Sequence, residues 1–391
     1  MRDRIIKARI LKTKKSILLL GPRQVGKSTL CRELKPDFAI DLADEEVFLS
    51  HSKDPGLLKR LLAAQPQAQT VFIDEIQRIP QLLNTIQALL EAPAHPQRKF
   101  ILTGSSARKL RRAGTNLLPG RVLFEWLDPL MLSEIGNQFD LDRALSIGAL
   151  PGVFFDLEEG TQILSSYVEI YLREEIRAEA LVRNLGGFAR FLDVIALASG
   201  QWLNYSKLAG DTEIPKETIR RFVSLLEDTL IVFRLPPYAV EGTRRVTQRD
   251  KIFLFDVGVR NAILGIHKRP LTPDQRGSLF EQWFVLQVRA LHRAFKYDWR
   301  LSSYRTDAGA EVDLVLEDGE HVVGLEIKCS KTVNSSDKRG LVSLGEVLRK
   351  GTHYTKWIVF QGDKAQQFAD GTWAIPFADA LDRLQKCSWN S

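Results

Sequence analysis

The sequence predicts an α/β protein with a parallel sheet in its N-terminal part, a helical middle region and a second α/β domain at its C-terminal end. Three observations carry that prediction. Residues 1–135 alternate short apolar runs with helical stretches, the pattern of a parallel sheet. Residues 136–245 lose this alternation and read as helices. Residues 246–391 run in the order strand, long helix, hairpin, helix, strand, helix.

The expected strands of the first part are Ser16–Leu20, Phe38–Asp41, Thr70–Ile73, Phe100–Thr103 and Val122–Trp126. Ser28–Leu34 reads as the first turns of a helix, and Gln81–Glu91 has helical periodicity that Pro93 and Pro96 interrupt. Residues 136–187 form a helical extension, with a break at Gly148-Ala-Leu-Pro-Gly152 and a charged amphipathic helix at Tyr167–Leu181. Residues 188–245 give helices at Phe191–Ala198, Tyr205–Ala209 and Pro215–Leu226, then a strand-like Ile231–Leu235. Pro215 suits a helix start, where its missing N–H costs little. Three helices and a hairpin suggest a winged helix, whose third helix would offer Lys216, Arg220 and Arg221 to DNA. Such a unit also serves as a protein-binding or interdomain module. The last part has strand Ile252–Phe255, helix Ser278–Phe295, a β-rich run at Tyr304–Thr306, Glu311–Leu316 and His321–Lys328, then helix Leu341–Leu348, strand Lys356–Gln361 and helix Phe377–Lys386. Asp318-Gly319 is a strong hairpin signal. No internal repeat or low-complexity segment is present.

A chain of 391 residues suggests two or three domains, and 44% hydrophobic with 26% charged residues suits a soluble globular protein. No apolar run approaches the ~18 residues that span a bilayer, so no membrane partner is expected. The N-terminus lacks an apolar leader, so a cytoplasmic location is expected. Cys31, Cys329 and Cys387 lie far apart, without metal-ligand spacing. The net charge of +7 and pI of about 9.2 favour a nucleic-acid partner weakly. Basic clusters at Lys12–Lys15, Arg108–Arg112 and Arg244–Arg245 add to that, although a solvated basic face is an equal reading.

Gly21-Pro22-Arg23-Gln24-Val25-Gly26-Lys27-Ser28 fits G-x-x-x-x-G-K-[ST] in full, between an apolar strand and a helix start. Such a loop curls its N–H groups around phosphates. Lys27 can reach the β- and γ-phosphates of ATP, Ser28 can offer a hydroxyl to Mg2+, and Thr29 follows in the same cradle. Val71-Phe-Ile-Asp74-Glu75 supplies the partner carboxylates. Asp74 can hold Mg2+ through water, and Glu75 can orient and deprotonate the attacking water. After the next strand, Ser105 is the favoured residue to position that water, with Thr103 and Ser106 as rivals. Arg121 is either an arginine finger for a neighbouring subunit, which would require a homo-oligomer, or a surface arginine after a turn.

These residues, with Ile73–Gln77, Leu102–Ser106 and Pro119–Arg121, resemble prokaryotic AAA-type ATPases related to the AAA+ and STAND P-loop classes. The chain looks like the AAA_14/DUF4143 family over nearly its whole length, with similar segments at Gly148–Gly152 and Tyr171–Ile176. That resemblance implies an architecture more than a biological role.

A second constellation lies in residues 246–391. Alternation puts Glu326 and Lys328 on one strand face, and the hairpin can bring Asp313 beside Glu326. Asp313 and Glu326 could hold Mg2+, with Mn2+ as an alternative, while Lys328 can stabilise the pentavalent transition state or help deprotonate water. With Glu281 on the preceding helix, this resembles a PD-(D/E)xK nuclease core. Gln361, after the following strand, is a candidate accessory residue. Sheet-edge charges and an inert scaffold are the other readings. The expected function is an ATP-hydrolysing protein acting on DNA with a metal-dependent nuclease-like domain. The alternatives are an ATP-driven switch or assembly factor that does not cut, and a nucleotide-controlled sensor.

Overall fold

The computed structural model describes residues 3–91, 97–105, 120–172, 185–238 and 249–387. They form two compact units: residues 1–130 with 227–231, and residues 131–226 with 232–391. Pro93, Pro96, Ser106, Pro119 and the clusters Arg108–Arg112 and Arg244–Arg245 lie outside the described residues. So does most of the helix expected at Tyr167–Leu181, which begins as a π-helical turn, Tyr167–Leu172.

The first unit is built on five parallel strands: β1 (Ser16–Leu20), β2 (Phe38–Asp41), β3 (Thr70–Asp74), β4 (Lys99–Gly104) and β5 (Val122–Trp126). Their order is β2-β3-β4-β1-β5. Every residue of β1 is buried, which explains its unbroken apolar run, since a parallel strand covered on both faces has no solvent side. Leu18, Leu20, Ile73, Phe100 and Leu102 share a core with Leu82, Leu83 and Ile86 of helix Leu82–Glu91.

The topology sets up the site. Strand β4 lies between β1, which runs into the phosphate loop, and β3, which ends in Asp74. Residues just after β4 are therefore held between the loop and the acids.

In the second unit, helices Leu185–Leu197, Tyr205–Thr212 and Lys216–Asp228 accompany a small antiparallel sheet. Its strands are β6 (Gln201–Trp202), β7 (Val232–Leu235) and β8 (Lys251–Leu254), in the order β6-β8-β7. Phe188, Phe191 and Phe222 cluster between the helices, with ring centroids 5.0–5.8 Å apart. The segment Gly148–Gly152 closely approaches the start of helix Val257–Ile263. Gly148 has φ 75° and ψ −158°, and a Cβ there would lie 1.9 Å from Asp256 Oδ1. Asp256 caps helix Val257–Ile263 by accepting from Val259 N, and it also accepts from Ala149 N.

The larger sheet of this unit is mixed, with strands β9 (Arg300–Arg305), β10 (Glu311–Asp318), β11 (His321–Lys328), β12 (His353–Phe360), β13 (Gln366–Gln367) and β14 (Trp373–Pro376). The order is β13-β14-β12-β11-β10-β9. β10 and β11 form a hairpin closed at Asp318 and His321 around the two-residue loop Gly319-Glu320, with Gly319 at φ 60° in the first loop position, where a positive φ calls for glycine. Helix Pro273–Phe295 starts five residues before the periodicity at Ser278 suggests. Thr272 and Gln275 form a capping box and Pro273 takes the first helical position. Among the described residues no helix is long and apolar enough to cross a membrane.

Candidate functional site

The loop Gly21–Ser28 is shaped by close approach and by left-handed backbone. A Cβ on Gly21 would lie 2.2 Å from Leu127 O, so only glycine fits there. Gln24 and Gly26 have φ of 60° and 91°. The conformation is braced by a residue the sequence does not advertise. Arg4, 8% exposed, donates to Val25 O at 2.7 Å and to Asp128 O at 2.6 Å. Lys27 is buried and its ammonium donates to Gly21 O at 2.9 Å and Pro22 O at 2.8 Å. Phosphate oxygens are stronger acceptors than these carbonyls and can replace them without moving the lysine out of its loop.

Asp74 and Glu75 end β3 with different backbones. Asp74 is the last strand residue, while Glu75 turns left-handed at φ 54°, ψ 45°. That turn re-aims the second carboxylate. The Thr103 hydroxyl donates to Asp74 Oδ1 and accepts from Glu75 N at 3.1 Å, so one β4 side chain ties both acids. Ser105 donates to Glu75 Oε2 at 3.3 Å. Gln77 donates to the same carboxylate and to Ser105 Oγ at 3.0 Å. From the phosphate loop, Arg23 Nη2 stands 4.0 Å from Glu75 Oε2, which brings the loop and the acid face to face. Ser105 thus touches Glu75 and Thr103 touches Asp74. Gln77 completes the group from a buried position at the first turn after β3, and an amide two residues past an acidic pair was the signal for it.

Arg121 lies elsewhere. It precedes β5, at the end of the sheet opposite the phosphate loop, and pairs with Glu91 at 2.8 Å.

The second constellation is in the other unit. The hairpin register sets Leu314 opposite Leu325, so Asp313 stands across from Glu326. Asp313 Oδ2 accepts from Ile327 N at 2.8 Å, and Lys328 Nζ donates to Glu326 Oε1 at 2.5 Å. Glu281 comes from helix Pro273–Phe295. Beside Glu281 and Asp313, and against Glu311, stands Lys251, the first of β8. Its ammonium is 2.6 Å from Glu311 Oε1, 3.0 Å from Glu281 Oε1 and 3.7 Å from Asp313 Oδ1. Its side chain is 2% exposed. Burial works against the charged form, yet the carboxylates of Glu281, Asp313 and Glu311 hold its pKa above that of an ordinary lysine. Burial, together with the charge of Asp313, pushes the carboxyl groups of Glu281 and Glu326 upward. The residues do not fit a metal ion in this arrangement, because an ammonium already stands among the carboxylates. Among the described residues no group of three or more His, Cys, Asp or Glu is arranged to hold a metal. Gln361 bonds to Cys329 Sγ at 3.0 Å.

Comparison with known proteins divides the chain into three parts. Residues 13–136 match a family described as an AAA domain, residues 138–269 a domain of unknown function (DUF8612), and residues 276–380 a domain of unknown function (DUF4143). An uncharacterized protein of Mycobacterium tuberculosis is 29% identical over 369 residues, spanning 92% of this chain and 79% of its own. An uncharacterized protein of Methanocaldococcus jannaschii is 25% identical over 393 residues, spanning 86% and 80%. Similar solved structures include the Aeropyrum pernix ORC1 protein in complex with DNA, at 12% identity and TM-score 0.31, covering 68% of this chain and 93% of that one. AMPPCP-bound DnaA from Aquifex aeolicus is similar at 11% identity and TM-score 0.26, covering 57% and 86%. The match over residues 13–136, the parallel sheet and the loop facing the acid pair together support an AAA-type P-loop ATPase.

Proposed function

We propose that this chain is an ATP-hydrolysing switch that acts on DNA by binding it, with a nuclease-like C-terminal domain that does not cut. The observation that carries the ATPase half is the acid pair at the end of β3, tied by Thr103 and facing Arg23 of the phosphate loop. Lys27 binds the β- and γ-phosphates and stabilises charge as the bond to the γ-phosphorus breaks. Glu75 accepts the proton of the attacking water, and Ser105 and Gln77 orient its carboxylate. Mg2+ bound with the nucleotide would neutralise phosphate charge. Ser28 and Asp74 provide the hard oxygen donors that suit it. Arg121 can complete a site only in an oligomer that turns the far end of the sheet toward a neighbour's phosphate loop.

The DNA half rests on the order helix, strand, helix, helix, strand, strand in residues 185–254, with its antiparallel β6-β8-β7 sheet. That is the order of a winged helix. Its third helix buries Ile219, Val223 and Leu226 on one face and exposes Lys216, Arg220 and Arg221. The competing reading, a metal-dependent deoxyribonuclease, has Asp313 opposite Glu326 and Lys328 in its favour and Lys251 against it.

One preparation tests both halves. Glu75→Gln should bind ATP but turn it over at least ~100-fold more slowly. DNA affinity should fall steeply with salt, and replacing Lys216, Arg220 and Arg221 by Ala should reduce the slope of log K against log salt by about 0.9 for each phosphate no longer neutralised. Linear, branched and single-stranded DNA should stay intact with Mg2+ or Mn2+. Unchanged turnover in Glu75→Gln would refute the ATPase assignment. Metal-dependent cutting that disappears in Asp313→Ala would establish the nuclease instead.

A further inference from the structure

The cluster formed by Glu281, Glu311, Asp313 and Glu326 holds four carboxylates, and its ammonium groups come from two sources. Lys328 sits on the same strand as Glu326 and bonds to it alone among the four. Lys251 comes from a different sheet. The β8 ladder fixes its place, with Lys251 opposite Trp202 on one side and Leu235 on the other. The Trp202 ring lies 5.4 Å from the ammonium. A lysine has three N–H donors, and a cation at this point has Glu311 at 2.6 Å and Glu281 at 3.0 Å, with Asp313 at 3.7 Å. A divalent ion needs oxygen ligands at roughly 2.0–2.6 Å in the same space, so the two cannot coexist. Arg305 Nη1 adds a third cation 3.8 Å from Glu311 Oε2, and the four carboxylates still outnumber the cations that meet them. Glu326 is 9% exposed, and its Oε2 has no hydrogen-bond partner among the described residues.

We infer that the Lys251 ammonium is the resident cation of this centre, standing where a metal-dependent phosphodiesterase would hold its ion, and that a divalent ion enters only when Lys251 is withdrawn. The strand that carries Lys251 belongs to the small β6-β8-β7 sheet. The centre is therefore locked from outside its own sheet, by a contact that a shift of β8 would release. This extends the non-cutting reading above, but it concerns ion binding alone.

The test uses the full chain without nucleotide or DNA, so its failure leaves the ATPase and DNA-binding assignments standing. Tb3+ is the probe, because Trp202 is close enough to sensitise its luminescence. In the wild type no part of the Tb3+ signal should depend on Asp313, and Mn2+ should not move the melting temperature. Lys251→Met should lose stability without metal. It should gain a Tb3+ signal that Asp313→Asn removes, and its melting temperature should rise with Mn2+. Should Lys251→Met fail to fold, Lys251→Met/Glu281→Gln removes one carboxylate with the cation and should restore a fold that still gains the Asp313-dependent Tb3+ signal. An Asp313-dependent Tb3+ signal in the wild type would overturn the inference. So would a Lys251→Met protein as stable as wild type with no such signal, or a double variant no more stable than the single one.

Discussion

Gly148→Ala tests the packing that holds the second unit together, and the structure supplies the magnitude. At φ 75° and ψ −158°, Gly148 occupies a region that is essentially closed to other residues, at a cost of about 1–3 kcal/mol. The new Cβ would also lie 1.9 Å from Asp256 Oδ1 and 2.6 Å from Oδ2, so the carboxylate must move. Asp256 then loses its bonds from Ala149 N at 2.8 Å and Val259 N at 3.0 Å, and hydrogen bonds to a charged group contribute roughly 1.5–3 kcal/mol. Even if one of them survives, the total is about 3 kcal/mol or more. Gly152, four residues on in the same motif, is the control. A Cβ there meets nothing within 4 Å, and the residue lies in helix Pro151–Phe154, where Ala is the better helix former. Urea unfolding followed by tryptophan fluorescence reports on this unit through Trp202, Trp283, Trp299, Trp357 and Trp373. With a slope of about 2–3 kcal/mol per molar urea, Gly148→Ala should lower the midpoint by about 1 M or more while Gly152→Ala leaves it in place. Equal midpoints for the two variants would refute the argument that Gly148 exists to admit Asp256.

Two further predictions concern the phosphate site. Thr103→Val keeps the shape of the side chain but removes the hydroxyl shared by Asp74 and Glu75 N. A buried donor left unpaired costs about 1–3 kcal/mol, so turnover at saturating ATP should fall by about 10- to 100-fold, and an unchanged kcat would show that the hydroxyl is only structural. Arg4→Met leaves the Val25 and Asp128 carbonyls without their donor. Because Val25 lies in the phosphate loop, nucleotide affinity should weaken by about tenfold or more in a titration with a non-hydrolysable ATP analogue, for a loss of about 1.4 kcal/mol. Affinity equal to wild type would mean that the loop holds its shape without Arg4.

The parts of the fold that could be read from the sequence are those with local causes. Strand β1 is buried throughout, and β3 and β4 in all but their first residue, and so they appear as apolar runs such as Ser16-Ile-Leu-Leu-Leu20. The β10–β11 hairpin appears because Asp318-Gly319 favours its turn. Helices Ile6–Lys12, Glu45–Lys53 and Leu57–Ala63 are short and charged, and each buries only one or two side chains, so their periodicity is too weak to stand out. Strand β14, Trp373–Pro376, is covered by its neighbours β12 and β13, and only that pairing makes it a strand. The phosphate loop and the acids were legible as residues, but Thr103 sharing its hydroxyl between the two acids was not, because it requires β4 to lie beside β3.

Lys251 shows most clearly why a site can be spelled out in sequence and still be misread. The Glu-x-Lys spacing guarantees that Glu326 and Lys328 share a strand face, and the hairpin turn guarantees that Asp313 lies opposite. Both are consequences of one ladder. Whether the carboxylates face solvent, a metal or an ammonium depends on what the next layer delivers, and here that layer is the first residue of β8, a strand of another sheet. Nothing within a few residues of Lys251 marks it as buried, since a lysine before Ile252-Phe-Leu254 reads as the polar start of a strand. Its burial at 2% exposure is tolerable only because Glu281 and Glu311 meet it. The reverse also holds, since those carboxylates crowd Asp313 and Glu326 and need a cation to remain together. The quartet and the lysine therefore have to be read as one charge cluster, and substitutions within it should be coupled: Lys251→Met should cost far less in a chain that already carries Glu281→Gln.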